Sequence, residues 1–226
     1  MEKLHSIFSI YEHLYTGQEE YYHNFNHARW TVIRGCEVLD SIGASKKMKR
    51  IYSHAMSAHD GGHSNGIFED DKDNVKKALE GFDIYCPFHK NSNSFKMAKT
   101  IILATTVPYS NFPTVEEMTY YSDVEEEYLL DLQILIEVAR DVDHLGIIGI
   151  RDELLRERAL IGLMKELLQK TPKEVLLKSV EKVTHDFFNS INFYTDYAKD
   201  WATNNLACMR EWQLGFSQKA VELASK

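Results

Sequence analysis

Apolar residues recur along most of the chain at three- and four-residue intervals, the spacing of helices that bury one face, rather than alternating as in half-buried strands. Four Pro and eleven Gly are the main punctuation, so the pattern predicts an all-α fold. A first helix fits residues 3–15 and closes at Gly17. A second runs from about Asn24 to Ser41, where Ile42-Gly43 is a stop signal. Ser45 caps a third, which carries Met48, Ile51, Tyr52, Ala55 and Met56 on one stripe and ends in Ala58-His59-Asp60. The Gly61–Gly66 stretch is a loop. Short helices follow over 71–82 and from a Ser94 cap through Leu103. Between Val107 and Glu127 two prolines and many acids predict a long connection with little regular structure. Residues 128–143 are apolar nearly all round, the mark of a central helix, and another helix covers 150–169. Thr171-Pro172 breaks the chain before two amphipathic helices rich in Phe, Tyr and Trp, so residues 1–170 form the main domain and 171–226 pack on it.

Charge narrows the range of partners. With 26 Lys and Arg against 34 Asp and Glu, the net charge of −8 excludes the basic excess on which binding to long nucleic acids or anionic lipid rests. No apolar run approaches the roughly 18 residues of a spanning helix. Neither a signal sequence nor a paired cysteine framework is apparent, and Cys36, Cys86 and Cys208 suit a reducing cytoplasm. The charge is unevenly spread. Residues 21–66 hold six Lys and Arg against three acids and five of the ten His, whereas 115–131 hold seven acids and no Lys or Arg.

Those histidines fall into clusters of metal-ligand type. His23 and His27 stand at i and i+4, on one face if helical. His59-Asp60, with His63 close behind, sits where a helix ends in a Gly-rich loop, and there the backbone can turn both side chains toward one ion. Asp141-Val142-Asp143-His144 lies at the predicted end of the central helix, where a carboxylate meets the negative end of the helix dipole unless a cation compensates. Thr105-Thr106 could add hydroxyls to the same cavity. Imidazole and carboxylate ligands without thiolates suit one divalent cation, Mn, Fe, Co, Ni, Zn or Mg.

The order His27, then His59-Asp60, then a distant Asp resembles the HD superfamily of metal-dependent phosphohydrolases and phosphodiesterases. Tyr22-His23-Asn24 with His27-Ala28, and His59-Asp60-Gly61-Gly62-His63, are similar to segments of cyclic-nucleotide phosphodiesterases. Asp141 to Leu145, with the Gly-Ile-Ile-Gly-Ile-Arg run up to Arg151, is closer to small bacterial HD hydrolases. The resemblance implies an HD-type helical bundle with a C-terminal helical extension, His27, His59 and Asp60 as metal ligands, and Asp143 or Asp141 as the fourth, with Asp143 preferred. It implies His23 as the acid that protonates the leaving oxygen and His63 as a residue that orients water or holds phosphate. The implied activity is hydrolysis of a small phosphoester or nucleotide by a metal-activated water. A di-iron HD oxygenase and a non-catalytic HD-fold ligand-binding or regulatory module are the alternatives.

Departures from the family pattern limit the expectation. Thr105-Thr106 stands where large phosphodiesterases carry Thr-Asp, only His89 is available as an extra histidine, and no glutamine takes the place that grips a purine. One ion and a substrate other than a cyclic nucleotide are therefore expected. His54 reads as the polar edge of its helix, and His5, His13, His89 and His185 as structural or surface residues. Lys96 and Lys99 read as solvated, and Arg151 as a better phosphate contact. The aromatic run Phe187-Phe188, Ile191, Phe193-Tyr194 and Tyr197, with Trp201 and Trp212, packs the last helices over the domain, and any exposed remainder would favour a homodimer.

Overall fold

Asn24 shows how the sequence sets the helix starts. Its side chain accepts from the backbone N–H groups of Asn26 at 2.8 Å and His27 at 3.2 Å, satisfying two donors that a helix leaves open, and α2 (Phe25–Ser41) begins there. Ser45 caps α3 (Lys46–Ala58) in the same way, through the Met48 N–H. A computed structural model describes residues 2–67, 70–106, 114–120, 122–149, 152–190 and 193–226. Among them every regular element is helical. The chain opens with α1 (Glu2–Tyr11) and a 3₁₀ turn (Glu12–Tyr15). After α3 come α4 (Asp71–Tyr85), α5 (Asn93–Ala104), α6 (Val115–Tyr120), α7 (Leu129–Gly149), α8 (Glu153–Lys170), α9 (Lys173–Ser190) and α10 (Asp196–Ala224). No helix among the described residues is long and apolar enough to cross a membrane.

Several boundaries differ from the sequence reading, and three change the picture. The cap of α5 is Ser92, whose hydroxyl accepts from Phe95 N–H at 3.3 Å, so that helix starts ahead of Ser94. The connection after α5 contains α6, opened by a capping box in which Thr114 and Glu117 bond each other's backbone N–H. Its neighbours 107–113 lie outside the described residues, as does Arg151. Third, α7 continues beyond Asp143 to Gly149.

Two apolar clusters hold the bundle. The larger joins α1 to α7 around Tyr52, Ile51, Leu39, Ile101, Ile102 and Leu132, all with no more than 1% exposed. Each such side chain contributes about 1.5–3 kcal/mol by leaving water. Gly35 lets the Tyr52 ring lie against α2, where its hydroxyl donates to the Thr31 carbonyl at 3.2 Å. The smaller cluster joins α8, α9 and α10 through Leu160, Met164, Leu176, Val180, Phe216 and Val221. Tyr194 and Tyr197, ahead of and within α10, pack on the first cluster, and Tyr22 packs on the second. The side chains of Phe187, Phe188, Ile191 and Trp212 lie outside the described residues. The two clusters meet where α8 crosses residues 21–22, and that seam positions the site. Gly162 makes the crossing possible, because a Cβ there would fall 2.7 Å from the Tyr21 carbonyl carbon and 2.8 Å from Tyr22 N.

Candidate metal centre and adjoining acid–base pair

Four elements deliver the polar side chains to this seam. His27 projects from the first turn of α2, and His59 is the residue that ends α3. Asp60 follows in a turn closed by Gly61 N–H to the Ala58 carbonyl at 2.8 Å and Gly62 N–H to the Leu14 carbonyl at 2.9 Å, with Gly62 in the left-handed region at φ +77°. Asp143 comes from the interior of α7. That carboxylate does not meet the negative end of the helix dipole, because six more residues of helix follow it.

The four ligand-type atoms form an alternating ring of imidazole and carboxylate. His27 Nε2 lies 3.4 Å from Asp60 Oδ2 and 3.1 Å from Asp143 Oδ1, while His59 Nε2 lies 2.9 Å from Asp60 Oδ2 and 3.5 Å from Asp143 Oδ1. Ligands about 2.1 Å from an ion stand about 3.0 Å apart on an octahedral edge and about 3.4 Å apart on a tetrahedral one, so the spacing fits a small divalent cation. His59 Nδ1 donates to the Met56 carbonyl at 2.8 Å, which leaves the lone pair on Nε2 when the ring is neutral. That Nε2 and Asp60 Oδ2 are buried 2.9 Å apart, and neither makes a well-aligned hydrogen bond. Two buried polar atoms left in this way are costly unless a further group satisfies both. Two imidazole nitrogens and two carboxylate oxygens suit Mn, Fe, Co, Ni or Zn, with Mg less suited to the nitrogens.

The electrostatics agree. Burial opposes the charge on Asp60, yet the neighbouring His59, His23 and His27 outweigh it and hold the carboxyl below its ordinary range. Asp143 is likewise held down against its burial by its hydrogen bond with His27 and by the neighbouring His59. Burial would discharge His59, but Asp60 and Asp143 raise it well above 6.5. Without an ion, the ring is thus held by protons that a cation can replace.

Beside it stands a second group that the sequence did not reveal. Glu166 of α8, 5% exposed, accepts from the His23 backbone N–H at 2.9 Å and from His23 Nδ1 at 2.7 Å. Burial lowers the basicity of His23, but Glu166, followed by Asp60 and Asp143, brings it up to about 10. The His63 ring stacks on His23 with centroids 4.1 Å apart, and Nδ1 of His63 accepts from Asn65 N–H at 3.1 Å. Burial and the His23 charge push His63 down to about 4. His23, His63 and Glu166 lie close enough to hold an ion of their own. Both Glu166 oxygens, however, are already engaged with His23, which marks the group as an acid–base pair.

The remaining candidates separate cleanly. Asp141 faces away from the ring and accepts from Tyr194 N–H at 2.8 Å, Thr195 N–H at 2.7 Å and Thr195 Oγ1 at 2.6 Å, tying α7 to the start of α10. Thr105 and Thr106 donate to the carbonyls of Ile102 and Leu103 in their own helix end. His54 is no polar edge: it is 2% exposed, and its Nδ1 lies 3.0 Å from the Tyr11 hydroxyl. Lys96 and Lys99 pair with Asp123 and Asp83. His5, His13, His89 and His185 are exposed.

Comparison of the chain with protein-family models, with curated proteins and with solved structures finds no match.

Proposed function

We propose that the chain is an HD-type metal-dependent phosphohydrolase acting on a small phosphoester or nucleotide, with one divalent ion held by His27, His59, Asp60 and Asp143. The observation that carries the reading is a ligand ring 2.9–3.5 Å on its edges lying next to an imidazole held cationic by a buried carboxylate. A divalent ion at such a ring supplies Lewis acidity toward a phosphoryl oxygen and makes water nucleophilic near neutral pH.

The protein groups do the rest. His23 is anchored through Nδ1 by Glu166, so its Nε2–H is the proton available to a departing alkoxide as the P–O bond breaks. With an ion held there, Asp60 and Asp143 would add less to the basicity of His23, which would move closer to working pH while Glu166 keeps it protonated. His63, uncharged and stacked on His23, offers Nε2 as a neutral hydrogen-bonding group to water or phosphate, because Asn65 N–H already occupies Nδ1. Burial of the ring excludes bulk water and strengthens each of these interactions. The free thiols Cys36 and Cys86 suit the cytoplasm, where we place this activity.

The test is turnover of a panel of phosphomonoesters, phosphodiesters and nucleotides by the purified chain with Mn, Co, Ni, Zn or Mg. The expected result is metal-dependent release of phosphate or alcohol, abolished in His59→Ala and Asp60→Ala. Turnover that survives in a metal-free variant overturns the proposal.

A further inference from the structure

We infer that Lys170 is the residue that receives the negative charge of the substrate's phosphate. The inference rests on the metal-dependent reading above and adds to it the group that binds the anion. Asp60 and Asp143 balance the charge of a divalent ion and Glu166 is engaged with His23, so a further side-chain cation beside the cluster would serve the anion.

Position singles out Lys170. It is the last residue of α8, one turn beyond Glu166 and on the same face, since residues four apart stack along a helix. Its backbone N–H is the helical partner of the Glu166 carbonyl. Against that same carbonyl lies the backbone of Gly66, where a Cβ would overlap the Glu166 backbone. The backbone that carries Lys170 thus lies next to the 61–66 loop that carries His63, and its side chain is exposed. Its charge already acts on His63, adding to burial and to the His23 charge. The lysines nearby are otherwise engaged: Lys165 pairs with Glu20 at 2.7 Å and Lys77 with Glu80 at 2.9 Å, whereas Lys170 has no ion pair among the described residues. A flexible ammonium at the rim suits a phosphate as a point charge and leaves the reacting atoms to the buried groups.

The experiment is calorimetric titration of inorganic phosphate into the manganese-loaded chain, with metal content and melting temperature measured on every variant. Lys170→Ala should weaken phosphate binding roughly tenfold, and Lys170→Arg should keep it within about threefold of wild type. Lys178→Ala, which removes the same charge from exposed α9, should leave it unchanged. All four proteins should hold the same metal and melt alike. In turnover the Lys170→Ala loss should appear in KM with kcat preserved, which a structural role would not produce. Equal phosphate affinity in Lys170→Ala and wild type, or no phosphate binding by the manganese-loaded wild type, overturns the Lys170 assignment alone. A wild-type chain that takes up no manganese overturns the metal reading and this assignment together.

Discussion

Replacing Glu166 by Gln removes one charge from beside the candidate metal centre and keeps the side chain's shape. In the native chain its oxygens accept from His23 N at 2.9 Å and Nδ1 at 2.7 Å, and it leads the groups that lift His23 from its ordinary 6.5 to about 10 against burial. With that charge gone, burial retained and a cation on Asp60 and Asp143, nothing else holds the proton and the imidazole falls back to its ordinary 6.5 or below. An imidazole at 6.5 is protonated in about one molecule in thirty near pH 8, so kcat there should fall about thirtyfold or more, with a smaller loss near pH 6. Two assays read this out: the pH profile of kcat, and an NMR titration of the His23 ring in the metal-free chain, which needs no turnover. Metal content should be unchanged, because Glu166 is outside the ligand ring. A variant whose alkaline limb and His23 titration coincide with those of wild type would refute the assignment of Glu166 as the group that keeps the acid charged.

Three further outcomes follow from the same geometry. Asp141→Ala leaves two backbone N–H groups and a hydroxyl at the start of α10 without their acceptor, so it should cost about 2–4 kcal/mol and lower the melting temperature by roughly 5–15 °C, while metal uptake stays as in wild type. Gly66→Ala places a side chain at φ +94° and against the Glu166 backbone, and should destabilise by about 2 kcal/mol or more and weaken turnover by moving Glu166, as thermal melts and kinetics on one preparation will show. Metal affinity should depend on pH with a definite sign: His59 is raised well above 6.5 in the metal-free chain, so an ion competes there with protons, and affinity measured by competition with a chelator should fall as pH drops from 8 to 6.

Much of the frame could be read in the sequence because it is written locally. Asn24 and Ser45 lie immediately before apolar stripes, and both cap the helices that carry His27 and His59. The order of His27, His59-Asp60 and a later Asp was likewise visible, and the structure brings those residues into one ring. What could not be read depends on distance or azimuth. Asp141 and Asp143 sit two residues apart, about 200° around a helix that is apolar on most sides, so spacing leaves open which faces the histidines. Glu166 bonds a residue 143 positions earlier, and its only local sign is a carboxylate beside Leu163, Met164 and Leu167 on a helix face that is otherwise apolar. His54 looked like a polar edge because its partner, Tyr11, lies on another helix. The short α6 had a visible signal, the Thr114–Glu117 capping box, that the surrounding prolines and acids obscured.

Whether His27, His59, Asp60 and Asp143 hold one divalent ion is tested by the metal content of the purified chain, measured by mass spectrometry on wild type beside Asp143→Ala and Asp141→Ala. Close to one equivalent per chain is expected in wild type and in Asp141→Ala, and near zero in Asp143→Ala. Wild-type protein that carries no ion after incubation with manganese, cobalt, nickel and zinc, or an Asp143→Ala variant that carries a full equivalent, would contradict it.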